Sequence, residues 1–214
     1  LGAGEKDEPA NALIANSLES FSVRHHFFFE AERASTVKKR YLVGEQKLLR
    51  VSRLSQFPIS QATESDILER LREVSTGASI IIVADFVYGV VTDNILRELL
   101  KIRKELGVKL HGDLQCSSQT GDASRFQDFD LVTPTEREAR VALNDSSSGL
   151  EKLAKNFMAK SCVNSLCLTL GADGLVGYVR DNTSDIARYH IPALNSGAVD
   201  VAGAGDSFLA AASF

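Results

Sequence analysis

From Ser79 to Ala84 the chain reads S-I-I-I-V-A, an unbroken apolar run. A strand of this composition is of the kind covered on both faces, as in parallel sheets whose crossovers are helices. The neighbouring segments supply those helices. Ile67, Leu68, Leu71 and Val74 recur at helical spacing until Gly77 ends the pattern. Thr92 is placed to cap a second helix, with Ile95, Leu96, Leu99, Ile102 and Leu106 inward and Gly107 after it. Val108 to Leu114 and Leu131 to Thr133 read as short strands, Thr135 to Leu143 and Gly149 to Lys160 as helices. Val163 to Leu170 is a further apolar strand, followed by a hairpin-like pair, Leu175 to Arg180 and Ile186 to Ile191. This alternation predicts an α/β fold, a mostly parallel sheet joined by right-handed helical crossovers.

The first quarter of the chain reads differently. Asp7, Glu8 and Pro9 open a helix whose apolar face is Leu13, Ile14, Leu18 and Phe21. From Ser22 to Ser52 the period changes to alternation. Val23, His25, Phe27 and Phe29 share one face of a first expected strand, and Val37, Lys39, Tyr41 and Val43 one face of a second. Gly44 and Glu45 turn into a third, Lys47 to Ser52. A small antiparallel sheet over residues 22–56 is expected, inserted in one α/β domain that occupies 1–214.

In open α/β sheets ligands bind beyond the carboxyl ends of the strands. Asp85, Asp113, Thr133 and Thr169 fall at such ends, and so does the glycine loop before Asp206. That loop lies in D-V-A-G-A-G-D-S-F-L-A-A-A-S-F, from Asp200 to Phe214. Gly203 and Gly205 allow a tight turn close to a ligand. The amides that open the following helix would converge on an anion, with the Asp206 carboxylate beside it. A nest of donors next to a potential base suits phosphoryl transfer to an alcohol. A plain glycine turn capped by a surface aspartate is the structural alternative.

This stretch resembles the D-T-T-G-A-G-D-x-F signature of the PfkB, or ribokinase-like, family of sugar kinases. Asp200, Gly203, Ala204, Gly205, Asp206 and Phe208 match; Val201 and Ala202 replace the two threonines. The resemblance implies that Asp206 is the base, that the Ala204, Gly205 and Asp206 amides form an anion hole, and that Asp200 lies near a monovalent-cation site. T-L-G-A-D-G, from Thr169 to Gly174, resembles the family's T-x-G-x-x-G and implies nucleotide binding by Thr169, Gly171 and Gly174. L-V-T-P-T-E-R-E-A, from Leu131, resembles T-P-N-x-x-E, which puts Glu138 near magnesium and phosphate, with Thr135 in place of asparagine. Thr135 and Glu138 also fit a helix capping box, and the two roles are compatible.

Two further segments are similar to heptose-phosphate kinases within the family, above all the kinase domain of bifunctional heptose 7-phosphate kinase/adenylyltransferases. D-F-V-Y-G-V-V-T, from Asp85 to Thr92, resembles D-Y-x-K-G-x-L-T, with Tyr88 at the lysine position. Asp85 would face the sugar or a magnesium water shell, or else simply start a turn. The basic stretch from Thr36 to Val51 resembles their lid strands, in which Lys38 and Arg40 share a face and could meet a sugar phosphate. A solvated edge that discourages strand pairing is the structural alternative. The resemblance thus implies an enzyme that uses ATP and Mg2+ to phosphorylate a sugar or sugar phosphate, a heptose 7-phosphate in particular. It also implies a homodimer through the lid. Another acceptor, such as fructose or ribose, or a non-catalytic nucleotide- or sugar-binding homologue, stays open. Complete family members begin earlier, with a G-G-x-x-N motif, and continue past the last helix, so the chain is expected to be part of a longer domain.

Composition narrows the partners. A net charge of −4 over 214 residues gives no general attraction to nucleic acid or anionic membranes. The apolar run from Ile80 to Val91 is broken by Asp85 and too short to span a bilayer. Three cysteines, Cys116, Cys162 and Cys167, form no disulfide framework, and Cys162 and Cys167 are expected on a buried strand, so a reducing cytoplasm is expected. His25, His26, His111 and His190 show no metal-ligand spacing.

Overall fold

In the computed structural model of the chain, residues 3–4, 9–30, 33–43, 46–115, 121–181, 185–194 and 203–214 are described. They divide into two compact units, Leu1–Val74 with Tyr88–Ile95, and Ser75–Val87 with Leu96–Phe214.

The first unit contains β1 (Ala3–Gly4), α1 (Pro9–Ser20), β2 (Phe28–Phe29), β3 (Val37–Val43), β4 (Gln46–Arg53) and α2 (Gln61–Ser75), which ends at its boundary. β3 and β4 form the expected antiparallel ribbon, with a register shift between Tyr41 and Leu42. The strand expected over residues 22–29 does not join it. Ser22 takes φ 56° and the Val23 amide bonds back to Leu18 O at 2.9 Å, so the end of α1 consumes the start of that segment. Only Phe28–Phe29 pairs, in parallel with Ala3–Gly4. The helical spacing in α1 is real, yet its stripe is not buried: Leu13 is 73% and Phe21 78% exposed.

Arg33 is the interior anchor of this unit, at 2% exposure. It donates to Tyr88 O at 2.9 Å, to Glu30 Oε2 at 2.8 Å and to Phe57 O, and stacks over the Phe57 ring. One side chain thereby ties three separated segments. Burial alone would push the Glu30 carboxyl up, but the Arg33 guanidinium, with Ser60 and Thr63, holds it down at about 2.

The second unit holds the main sheet: β5 (Ile80–Asp85), β6 (Lys109–Leu114), β7 (Leu131–Val132), β8 (Ser165–Thr169), β9 (Leu175–Arg180) and β10 (Ile186–Ile191), in the order β10-β9-β8-β7-β6-β5. β5 to β8 are parallel; β9 and β10 extend the sheet antiparallel, as the hairpin-like pattern predicts. The helices are α3 (Asp93–Leu106), which starts in the first unit, α4 (Glu136–Leu143), α5 (Leu150–Ser161) and α6 (Ala204–Ala212). Leu110, Leu114, Leu166, Leu168, Phe126, Phe129 and Phe157 are all buried in this unit's core, where the Phe126 and Phe129 rings lie 5.0 Å apart.

The sheet departs from expectation at its margin. β5 is an edge strand, and Ile82 is 46% exposed rather than covered on both faces. Cys162 is not on a strand: it caps α5 at φ 56° and is exposed. Cys167 is on β8, where burial pushes its thiol up to about 11. Among the described residues no helix is long and apolar enough to cross a membrane.

Candidate active site

Four neighbouring parallel strands deliver polar side chains to one rim of the second unit: Asp85 ends β5, Asp113 lies at the end of β6, Thr133 follows β7 and Thr169 ends β8. α6 brings the glycine loop to β6. Its N-cap is Gly203 at φ 79°, a conformation in which a side chain would be strained. The first intrahelical bond runs from the Ser207 amide to Gly203 O, at 2.9 Å. The amides of Ala204, Gly205 and Asp206 therefore have no intrahelical acceptor, and among the described residues no side-chain cap is present.

Two contacts fasten α6 along β6. Near its C-terminus, His111 Nδ1 and Ser213 Oγ are 2.8 Å apart in the interior. Near its N-terminus, Gln115 Nε2 donates to Asp206 Oδ1 at 2.9 Å. The helix thus runs antiparallel to the strand and delivers Asp206 to the strand's carboxyl end.

Asp113 is 5% exposed. Burial, then the charges of Glu138 and Asp206, push its carboxyl up to about 6, against the hydrogen bond from Thr133 at 3.3 Å. Three carboxylates from β6, α4 and α6 thus feel one another. Glu138 has the capping-box geometry: its Oε2 accepts the Thr135 amide at 2.9 Å and hydroxyl at 2.8 Å, while its own amide donates to Thr135 Oγ1.

Asp85 is nearly buried, with both carboxylate oxygens engaged by its own unit. Oδ1 accepts the Val87 amide and Oδ2 the Arg125 guanidinium, each at 2.8 Å. Burial raises its carboxyl above the usual range despite these partners. Val87 itself sits at φ 61°, an unfavourable conformation for a β-branched residue.

The loop after β8 borders a cleft of about 850 Å³, lined by Thr169, Leu170 and Gly171 on one side and by Glu136, Arg137 and Arg140 of α4 on the other. Thr169 forms a parallel bridge with Thr135, which joins the loop to the α4 cap. Gly174 has a packing reason of its own: a Cβ there would stand 2.1 Å from the carbonyl oxygen of Ile191.

In the first unit the ribbon register puts Arg40 directly opposite Arg50, and Lys38 opposite Ser52, on one face. Lys38 lies 5.2 Å from the Tyr88 ring centroid, a cation–π contact. Tyr41 and Leu49, with Val51, are exposed on the other face.

The sequence matches the profile of the pfkB family carbohydrate kinases over residues 7–213. The chain belongs to that family. It is 27% identical over 187 residues to the bifunctional protein HldE of Geobacter metallireducens, covering 86% of this chain and 36% of that protein. It is 29% identical over 212 residues to the HldE of Helicobacter hepaticus, covering 97% and 42%. The chain therefore spans about two fifths of the length of these curated relatives. Among solved structures, ribokinase from Giardia lamblia superposes with a TM-score of 0.74 at 16% identity, over 97% of this chain and 62% of that one. The fold is ribokinase-like.

Of the residues singled out in this pfkB-family sequence, Asp206, Gly203, Ala204, Gly205 and Glu138 share one end of the sheet with Thr169 and Gly171. Asp200 lies outside the described residues. Lys38 and Arg40 belong to the other unit. Sequence reasoning did not select Gln115 and Arg50, and gave Asp113 only a place on the rim. Arg50 becomes visible only through the ribbon register, and Gln115 only through the antiparallel course of α6.

Proposed function

We propose that the chain transfers the γ-phosphoryl group of ATP to a hydroxyl of a sugar phosphate, with a heptose 7-phosphate as the acceptor. The observation that carries the reading is Asp206 itself, a carboxylate on the first turn of a helix whose three opening amides have no intrahelical acceptor. In the step, Asp206 takes the acceptor's hydroxyl proton. The oxygen's electron pair forms the new bond to phosphorus, and the bond from phosphorus to the β–γ bridging oxygen breaks, releasing ADP. The amides of Ala204, Gly205 and Asp206 stabilise charge on the phosphoryl oxygens as it moves.

The cleft beside Thr169 and Gly171 supports a nucleotide seat, with Arg137 as a cation on its wall. Magnesium fits the chemistry of this rim. Glu138 and Asp206 bring two carboxylates close enough to add to burial in raising the Asp113 carboxyl, a gathering of negative charge that a cation would offset. The bound ion would neutralise phosphate charge. A monovalent cation near Asp200 belongs to the same family-derived reading.

A charged acceptor is favoured by the resemblance of the Thr36 to Val51 stretch, with Lys38 and Arg40 on one face of the ribbon, to the lid strands of heptose-phosphate kinases. The HldE name of the relatives points the same way. The exposed apolar face of the ribbon is the surface through which two copies would pair, and a cytoplasmic location suits these substrates. The test is ATP consumption with magnesium against heptose 7-phosphate, fructose, fructose phosphates and ribose. Turnover confined to the heptose phosphate supports the reading; turnover on a neutral sugar overturns the acceptor. Asp206→Asn should abolish most turnover while ATP still binds, and an active Asn variant would refute the base.

A further inference from the structure

We infer that Gln115 is a positioning residue of the transfer step: its side-chain amide holds Asp206 Oδ1 and so fixes the carboxylate that takes the acceptor's proton. This rests on Asp206 being the base.

The geometry starts from the backbone. The Gln115 amide donates to Asp85 O at 2.9 Å, the rung that follows the β5–β6 ladder, so the side chain is delivered from the sheet itself. From there Nε2 reaches Asp206 Oδ1 at 2.9 Å. Asp113, two positions earlier on β6, is buried and receives the Thr133 hydroxyl at 3.3 Å. A primary amide donates without carrying charge. It can hold the Asp206 carboxylate without neutralising it, whereas a lysine would offset its charge and a leucine would remove the donor. Holding Oδ1 restricts rotation of the Asp206 carboxylate and leaves Oδ2 to meet the hydroxyl. Such orientation of a reacting group is worth a large factor in rate when it is lost.

The charged groups that bear on this pair come from three elements. Asp113 stands on β6, Glu138 on α4 and Asp206 on α6, all acidic, with Thr133 after β7 as the neutral donor. Removing the glutamine donor frees the Asp206 carboxylate to rotate in this acidic setting, and a positioning role predicts a lower rate with substrate binding kept.

The experiment compares Gln115→Leu and Asp206→Asn in the full chain, with MgATP and the acceptor that gives turnover. For Gln115→Leu the expected result is a kcat lower by about 10- to 100-fold with both KM values within about twofold, because the loss falls on the transition state. Thermal melting with and without ATP shows that each variant is folded. If Gln115→Leu keeps wild-type kcat while Asp206→Asn is inactive, Gln115 is a bystander and the inference fails although the base stands. A Gln115→Leu loss confined to ATP KM and melting temperature also overturns it. An active Asp206→Asn overturns the base first, and the inference with it.

Discussion

His111 Nδ1 and Ser213 Oγ meet at 2.8 Å across 102 positions of sequence, and the contact fastens the end of α6 remote from Asp206. The Ser213 hydroxyl donates to Leu209 O at 2.7 Å, so it accepts from His111, which must carry its proton on Nδ1. Burial lowers the His111 ring's affinity for a second proton.

Ser213→Ala leaves that buried N–H without an acceptor. A cost of about 1–3 kcal/mol is expected, read as a lower melting temperature. The wild-type pH dependence has a definite sign. The folded state favours the neutral ring, so the His111 contribution is present above the unfolded value of about 6.5 and is lost as pH falls through the lower folded value. Melting curves between pH 5 and 8 check this, and a His111→Gln variant should flatten them.

Asp113 contributes with the opposite sign. Its folded carboxyl is raised to about 6, so the folded state binds the proton more readily than the unfolded chain. That stabilisation is fully present below the unfolded value of about 4 and is lost as pH rises through about 6. At neutral pH the ionised group is a liability. Asp113→Asn should therefore raise stability at pH 7, by on the order of 1–3 kcal/mol, measured by urea unfolding. No gain at pH 7, or a gain equal at pH 4, would contradict the burial argument.

Arg33 tests the first unit. Arg33→Met removes the buried partner of the half-buried Glu30 and should cost about 1–3 kcal/mol. The double variant Arg33→Met/Glu30→Leu should recover part of the loss, since no uncompensated charge then remains. Because the Glu30 carboxyl is held at about 2, its contribution is present above the unfolded value of about 4.5 and fades as pH falls toward 2. Chemical unfolding of the four members of the cycle measures the coupling.

The sheet was legible because its strands are short apolar runs bounded by glycines and helix caps. The Thr92 cap bonds the Ile95 amide at 3.2 Å and the Thr135 cap has its full reciprocal geometry, both local features that sequence spacing encodes. The segment from Ser22 to Phe27 misled because Val23, His25 and Phe27 recur at a strand's period of two, while the turn at Ser22 is fixed by bonds back to α1. Burial on both faces failed at Ile82 because edge position is a property of the whole sheet. At the site, Asp206 and Glu138 stand in motifs, whereas Gln115 gains meaning only from a helix that arrives ninety-one positions later. Asp113 lay between these cases, since its place at a strand end was legible but its partners were not.

Because a strand-end glutamine holds the carboxylate of a helix that comes ninety-one positions later, the chemistry of this rim cannot drift one residue at a time. A change at Gln115 reaches Asp206 directly, and a change at Asp206 alters the charge that Asp113 feels. Viable descendants of this sequence should therefore vary these three positions jointly, with Asp113, Gln115 and Asp206 inherited as a set.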